Sequence, residues 1–351
     1  MNTNSYPALD LFAELLVPSL SGSEETIAGI IQKKLSDLDF DPITDPAGNI
    51  QVHLLGKDRQ APLFVFAAHM DEIGMVVTRI ETGGRLLVTS SGGLYPWKLG
   101  EGAVDVFGDK TILQGVLSMG STHTQDADKK TAVSWNDVHI LTGLSTQELR
   151  SAGVRSGSAV LPVRERRGPV VFGPKDDPLV GAWTFDDRMG CATLIRLLES
   201  IKQSGIQPHH PTVIAFTTQE EIGGHGAKYL ARTINPEIFV AVDGCPILAN
   251  SPLSLDGRPG IWAKDKLARY DQSLIRSFYK AATAAGTDLQ SAIFDDTASD
   301  ASLASYALGI PKIACIGHVR ENSHGFEVAR LSVFDNLLNT LTTFVKSFPF
   351  A

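Results

Sequence analysis

With 351 residues, a net charge of −8, 43% hydrophobic and 20% charged residues, the chain has an ordinary globular composition and is long enough for more than one domain. The negative balance gives no reason to expect nucleic acid or an anionic membrane as a partner. No stretch reaches the roughly 18 apolar residues of a spanning helix, and MNTNSYPALDLFAELL has no basic-then-apolar leader pattern, so a cytoplasmic location is expected.

Two helical patterns come first. In the second, Ser21 or Ser23 can cap a helix whose Ile27, Ile30, Ile31 and Leu35 make one apolar stripe. A turn at 45–49 leads to an expected strand over 50–55. The continuous apolar run 62–68 then reads as a strand buried on both faces, ending in His69-Met70-Asp71-Glu72. From about Val77 to Phe172, short β-rich segments (85–89, 104–107, 111–117, 138–141, 159–162) alternate with glycine and polar turns, with one short helix over 145–152. This texture predicts a small β-rich domain set into an α/β one. The polar run His123 to Lys130 reads as an exposed loop, and neither His123 nor His139 has company that would mark it as a ligand.

Beyond a turn-rich junction at 174–178, Phe185-Asp186-Asp187-Arg188 opens a helix striped by Leu194, Ile195, Leu198 and Ile201. One aspartate suffices as its cap, which leaves the other available. The strand-like run 213–217 leads into Glu220-Glu221 and then Gly223-Gly224, and the run 239–242 ends in Asp243. Asp271 and Asp300 are each placed to cap a helix. The run 311–317 is the last core strand, followed by His318 and His324, and a helix from Ser332 closes the chain. Cys191, Cys245 and Cys315 all lie in apolar surroundings and read as buried thiols of a reducing compartment.

Strands alternating with helices predict a mostly parallel sheet with helices on both faces, and such sheets gather ligands outside the carboxyl ends of their strands. Here those ends carry His69, Glu220 with Glu221, Asp243, and His318 or His324, while Asp186 opens a helix that can start at the same edge. An isolated Glu-Glu pair is ordinarily a solvated charge pair. Buried at a strand end, however, two adjacent carboxylates repel and need a cation beside them. A His, Asp and Glu set without thiolates suits one or two divalent ions such as zinc, cobalt or manganese, with one glutamate as ligand and the other as base. Asp71 is close enough to His69 to orient its imidazole.

HMDEIG (69–74), FDDRMG (185–190), QEEIGGHGA (219–227) and VDG (242–244) occur in the order and at the separations that characterise the di-metal aminopeptidases of peptidase family M forty-two. This family includes the glutamyl, deblocking and tetrahedral aminopeptidases. The resemblance covers nearly the whole chain, since GLSTQELRSAGVRSGSAV is similar to the end of that family's inserted domain. It implies a catalytic domain of 1–76 and 173–351, and a β-barrel-like dimerisation domain of 77–172. His69 and Asp243 would hold one metal, Glu221 and a late histidine the other, with Asp186 between them, Glu220 as general base and Asp71 in support. The two ions, zinc first, would share a water or hydroxide that attacks the carbonyl of a short peptide. The resemblance also implies homo-oligomers, with dimers assembling to a dodecamer.

One segment departs from the pattern. Where the family has a segment like Tyr-Ile-His-Ser-Pro, this chain reads ENSHGFEVA from Glu321, without the proline and with a shorter step from the histidine to Glu327. The EVARLS that follows favours His324 as the ligand, with His318 as fallback. His225 stands where the family more often has arginine and reads as a polar residue on a helix's first turn. The altered segment also leaves room for an amide hydrolase specialised for an acylated amino acid or one dipeptide-type metabolite, as in a subgroup linked with osmoprotectant dipeptides. A self-assembling binding protein with a relic site is the remaining alternative.

Overall fold

The run Phe64–His69, every residue of it buried, lies near the middle of an eight-stranded sheet. The computed structural model describes residues 6–120 and 132–349. In order across the sheet stand Ile43–Thr44, Ile50–Leu54, Thr212–Thr217, Phe64–His69, Ile238–Val242, Lys312–Gly317, Gly260–Lys264 and Gln290–Ile293. Pairing is parallel from Thr212–Thr217 through Lys312–Gly317. It is antiparallel where Ile50–Leu54 meets Thr212–Thr217 and where Lys312–Gly317 meets Gly260–Lys264. Gly260–Lys264 and Gln290–Ile293 are parallel to each other, so the sheet is mixed, parallel through its centre and not throughout. The 55–63 link after Ile50–Leu54 carries no helix and returns the chain in the opposite direction as Phe64–His69, on the other side of Thr212–Thr217.

Helices cover the sheet as their stripes dictate. Glu25–Asp37 buries Ile27, Ile31 and Leu35, and Phe185–Gln203 buries Leu194, Ile195, Leu198 and Ile201. Val333–Ser347 buries Phe334, Leu337, Leu341, Phe344 and Val345. Two capping expectations are corrected. Glu24, not Ser21 or Ser23, sits at the N-cap of Glu25–Asp37, without a side-chain bond, because the Ser21 hydroxyl donates to Asp71 Oδ2 at 2.6 Å instead. Ser299 caps the Asp300–Leu308 helix, and Asp300 turns to the Thr217 hydroxyl. Asp271 does cap its helix, accepting from Leu274 N at 2.8 Å, and Ser145 with Glu148 makes a capping box on Thr146–Ser151.

Between Gly74 and Pro162 six strands close a barrel in the order Gly74–Ile80, Leu86–Ser91, His139–Leu141, Ile112–Ser118, Gly102–Phe107, Ala159–Pro162. It has its own apolar core, built from Met75, Val77, Val88, Val104, Val106, Ile140 and Val160. The polar run 123–130 lies outside the described residues except in sequence. Val170–Phe172 pairs with Leu179–Trp183, which pairs in turn with Phe326–Arg330, so the chain has left the barrel by this point. The three cysteines are buried and unpaired, and no helix among the described residues is long and apolar enough to cross a membrane.

A buried ion cluster joins barrel and sheet. Glu72, fully buried, accepts from Arg167 Nη1 at 3.0 Å, Trp183 Nε1 at 2.8 Å and Ser19 N at 2.7 Å, and Arg188 approaches at 3.7 Å. Arg188 spends its other donors on Leu15 O, Val17 O and Met70 O. Removing only the carboxylate leaves two guanidinium groups buried without their counter-ion. Glu72→Ala is expected to cost about 3–5 kcal/mol, read from urea unfolding midpoints against wild type.

Candidate metal centre

The parallel strands deliver their carboxyl ends to one edge. Thr217 and His69 are register partners, and Asp243 N donates to Ile316 O at 3.1 Å. Leu179–Trp183 leads through Thr184, at φ +67°, into Asp186 at the same edge. Asp187 takes the capping role by accepting from Gly190 N at 3.1 Å, so Asp186 is left to face the strand ends.

Two overlapping triads result. Ligand atoms of His69, Asp186 and Asp243 lie within 4.8 Å of one another, as do those of Asp186, Glu221 and His324. Asp186 is common to both. Its Oδ1 is 3.2 Å from His69 Nε2, and its Oδ2 is 3.6 Å from His324 Nε2, which is also 3.6 Å from Glu221 Oε2. Glu220 lines the same cavity of about 290 Å³. His318, the alternative ligand, lies outside both triads. Its ring packs on Phe185 at 5.7 Å, its Nε2 is 3.4 Å from Arg320 Nη1, and burial followed by Arg320 drives its pKa well below 6.5. His225 is exposed at the start of His225–Ile234.

Asp71 explains how the glutamate pair is held. Wholly buried, it accepts from Glu220 N at 2.9 Å, Glu221 N at 3.1 Å and the Ser21 hydroxyl, and its Oδ1 is 3.4 Å from His69 Nδ1. That carboxylate is fully occupied in fixing a strand end and a turn, so Asp71 positions the site. Glu24 adds a further hold by accepting from Gln219 N at 3.1 Å, and Asn49 accepts from Thr218 N at 3.1 Å.

Electrostatics test whether cations fit. Burial pushes Glu221 and Asp243 each up to about 7, with Asp186 adding to the push, and raises Glu220 well above 4.5. Burial alone would raise Asp186 too, but Arg320 and His69 outweigh it and hold its carboxyl low. Glu221 Oε1 is buried with no hydrogen-bond partner. Crowded carboxylates short of positive charge, an orphaned carboxylate oxygen and two imidazoles form a donor set that suits divalent ions.

Arg320 and Glu327 were not legible as site residues. The Arg320 guanidinium contacts Asp186 Oδ2 and pairs through Nε with Glu327 Oε1 at 2.8 Å, while Glu327 Oε2 accepts from Asp186 N at 2.9 Å. Two glycines carry the corresponding signal. A Cβ on Gly244 would lie 1.0 Å from Arg320 Nη1, and one on Gly93 would lie 2.7 Å from His324 Nδ1. Gly93 O is also 3.0 Å from that Nδ1, so the barrel segment buttresses a triad residue.

A family model described as M42 glutamyl aminopeptidase matches residues 48–339. The chain belongs to that family. This M42 peptidase is therefore a peptide-bond hydrolase. It is 25% identical over 332 residues to a putative aminopeptidase of Acetivibrio thermocellus, covering 93% of this chain and 94% of that protein. A lysyl aminopeptidase of Pyrococcus furiosus is 29% identical over 64% of this chain and 63% of its own length. The TET1 peptidase of Pyrococcus horikoshii, described as assembling into a tetrahedron or a large octahedral shell, superposes with a TM-score of 0.83 at 26% identity over 97% of this chain and 98% of its own.

Two measurements probe the centre. Purified wild type is expected to bind about two divalent ions per chain. Asp186→Asn should lower both occupancies and His324→Ala about one, read by elemental analysis after dialysis. Separately, burial raises the Glu24 carboxyl from 4.5 to about 7. The folded state thus holds a proton that the unfolded chain releases, and stability falls as pH climbs from about 4.5 to about 7. Glu24→Gln is expected to flatten that slope and gain about 1–3 kcal/mol near pH 7.5, read from urea midpoints at about pH 5 and pH 7.5.

Proposed function

We propose that this M42 peptidase is a metal-dependent aminopeptidase that removes N-terminal residues from short peptides. The observation that carries the reading is the pair of triads sharing Asp186 at the mouth of one cavity, with Glu220 beside them. His69 and Asp243 would hold one divalent ion, Glu221 and His324 the other, and Asp186 both. Bound divalent ions supply Lewis acidity toward the scissile carbonyl and toward water, zinc being the first candidate and cobalt or manganese the others.

The chain's own residues divide the remaining work. Glu220 takes a proton from the attacking water at its carboxylate and passes it to the leaving amine. A carboxyl whose pKa burial has raised is suited to both halves of that transfer. Asp71 fixes the backbone of Glu220 and Glu221 and aims His69. Arg320 keeps Asp186 ionised, and Glu327 keeps Arg320 in place.

The reading extends to assembly. Residues 77–172 would serve as a dimerisation domain, most of it the barrel with its separate core, and dimers would build a larger homo-oligomer; the TET1 peptidase is described as assembling into a tetrahedron or a large octahedral shell. Static light scattering of the purified protein tests this, and a monomer mass would refute it.

Glu220→Gln is expected to lower kcat by about 10²–10⁴-fold while metal content and fold stay unchanged. The test is amino-acid release from an unbiased dipeptide and tripeptide panel in zinc, cobalt and manganese. Cleavage that survives in Glu220→Gln would remove the assigned base, and no release from any peptide by metal-loaded wild type would sink the aminopeptidase reading.

A further inference from the structure

The cavity at the triads continues past them. Beyond the metal-type residues and Arg320, its wall is made by Pro246, Trp262, Asp296, Thr297, Ala298 and Leu303. Trp262 is 3% exposed and its indole nitrogen already donates to Gly244 O at 3.2 Å, so what it offers the cavity is ring surface. Leu303, Ala298 and Pro246 extend that apolar lining. Two polar features interrupt it. Thr297 Oγ1 is buried without a hydrogen-bond partner, and Asp296, exposed at the mouth, makes no ion pair among the described residues, whereas its neighbour Asp295 is held by Lys264 at 2.5 Å.

The charge balance of this wall decides what can enter. Among the described residues that line it, Arg320 is committed to Asp186 and Glu327, and the His324 imidazole faces Asp186 and Glu221. An acidic side chain on the wall beyond the triads would lose water, find no uncommitted cationic side chain there and meet Asp296. A lysine or arginine side chain would lay its methylenes along Trp262 and Leu303, with its cationic head beside the Asp296 carboxylate and the unpartnered Thr297 hydroxyl. An uncharged aliphatic side chain would use the apolar wall alone. The family description names a glutamyl activity and one relative a lysyl one, so the relatives' names point both ways and the wall must decide.

We propose that Pro246, Trp262, Thr297 and Leu303 form the pocket for the substrate's first side chain, with Asp296 selecting a basic N-terminal residue and excluding an acidic one. The proposal rests on the aminopeptidase reading. Its test uses metal-loaded full-length protein and the aminomethylcoumarin amides of lysine, leucine and glutamate. Wild type is expected to favour lysine over glutamate by about 100-fold in kcat/KM, with leucine between them. Asp296→Asn should raise KM for the lysine substrate about 10-fold with leucine changed less than about 2-fold, and Asp296→Lys should bring glutamate up toward leucine. Asp296 is exposed, so these variants keep the fold, and unfolding midpoints check that.

A second readout stands apart from turnover. Calorimetry should detect free L-lysine binding more tightly than L-glutamate, a difference that Asp296→Asn abolishes. If no amide is cleaved but this difference is present, the pocket assignment holds and the activity reading fails. Glutamate equal to lysine in wild type by either readout, or lysine and leucine falling together in Asp296→Asn, would overturn the assignment.

Discussion

Buried negative charge is the constraint around which this molecule is arranged. Asp186, Glu220, Glu221 and Asp243 meet at one sheet edge with Arg320, His69 and His324 against them among the described residues. Such a group is unfavourable for folding unless its geometry is imposed from outside. The imposition comes from backbone: parallel strands end together, and a turn is tied down by its own N–H groups. Asp71 binds the backbone of both glutamates, Glu24 binds Gln219, and Asn49 binds Thr218. Residues that bring no chemistry of their own thus hold in place those that do.

A second buried group does for the domains what Asp71 does for the turn. Glu72 is the next residue along, and it draws Arg167 from the end of the barrel segment, Trp183 from the strand before Asp186 and Arg188 from the helix after it onto one carboxylate. Residues about a hundred positions further along the chain are thereby fixed three positions past His69, at the end of its strand. Met70 O, between His69 and the two acids, accepts from Arg188 and from the Ser19 hydroxyl. Stability and site geometry therefore depend on the same short segment.

Much of this was legible from residue patterns. Fully apolar runs announced the central strands at Phe64, Val213, Phe239 and Ile313, because a strand buried on both faces has no other way to be written. Their polar endings announced where the acids and imidazoles gather. Other parts were not legible, for definite reasons. Gly260–Lys264 and Gln290–Ile293 are short strands that lack a sustained apolar run, and Val170–Phe172 is an exposed edge. Arg320 hid because a lone arginine after a core strand usually points to water, and its burial follows only from Gly244 leaving space for the guanidinium. The true partners of Ser21 and Asp300 were out of reach because both are settled by residues far along the chain.

The contact between Gly93 and His324 ties a residue of the sheet edge to the barrel segment. One imidazole of the site rests on a carbonyl from the barrel segment, in a space that only a glycine leaves open. Displacing the barrel segment would take this support from the imidazole while Asp186 and Asp243 keep theirs from the sheet edge. The late histidine of the second triad is thus a residue whose placement depends on two units of the fold at once, the sheet edge through Asp186 and the barrel segment through Gly93.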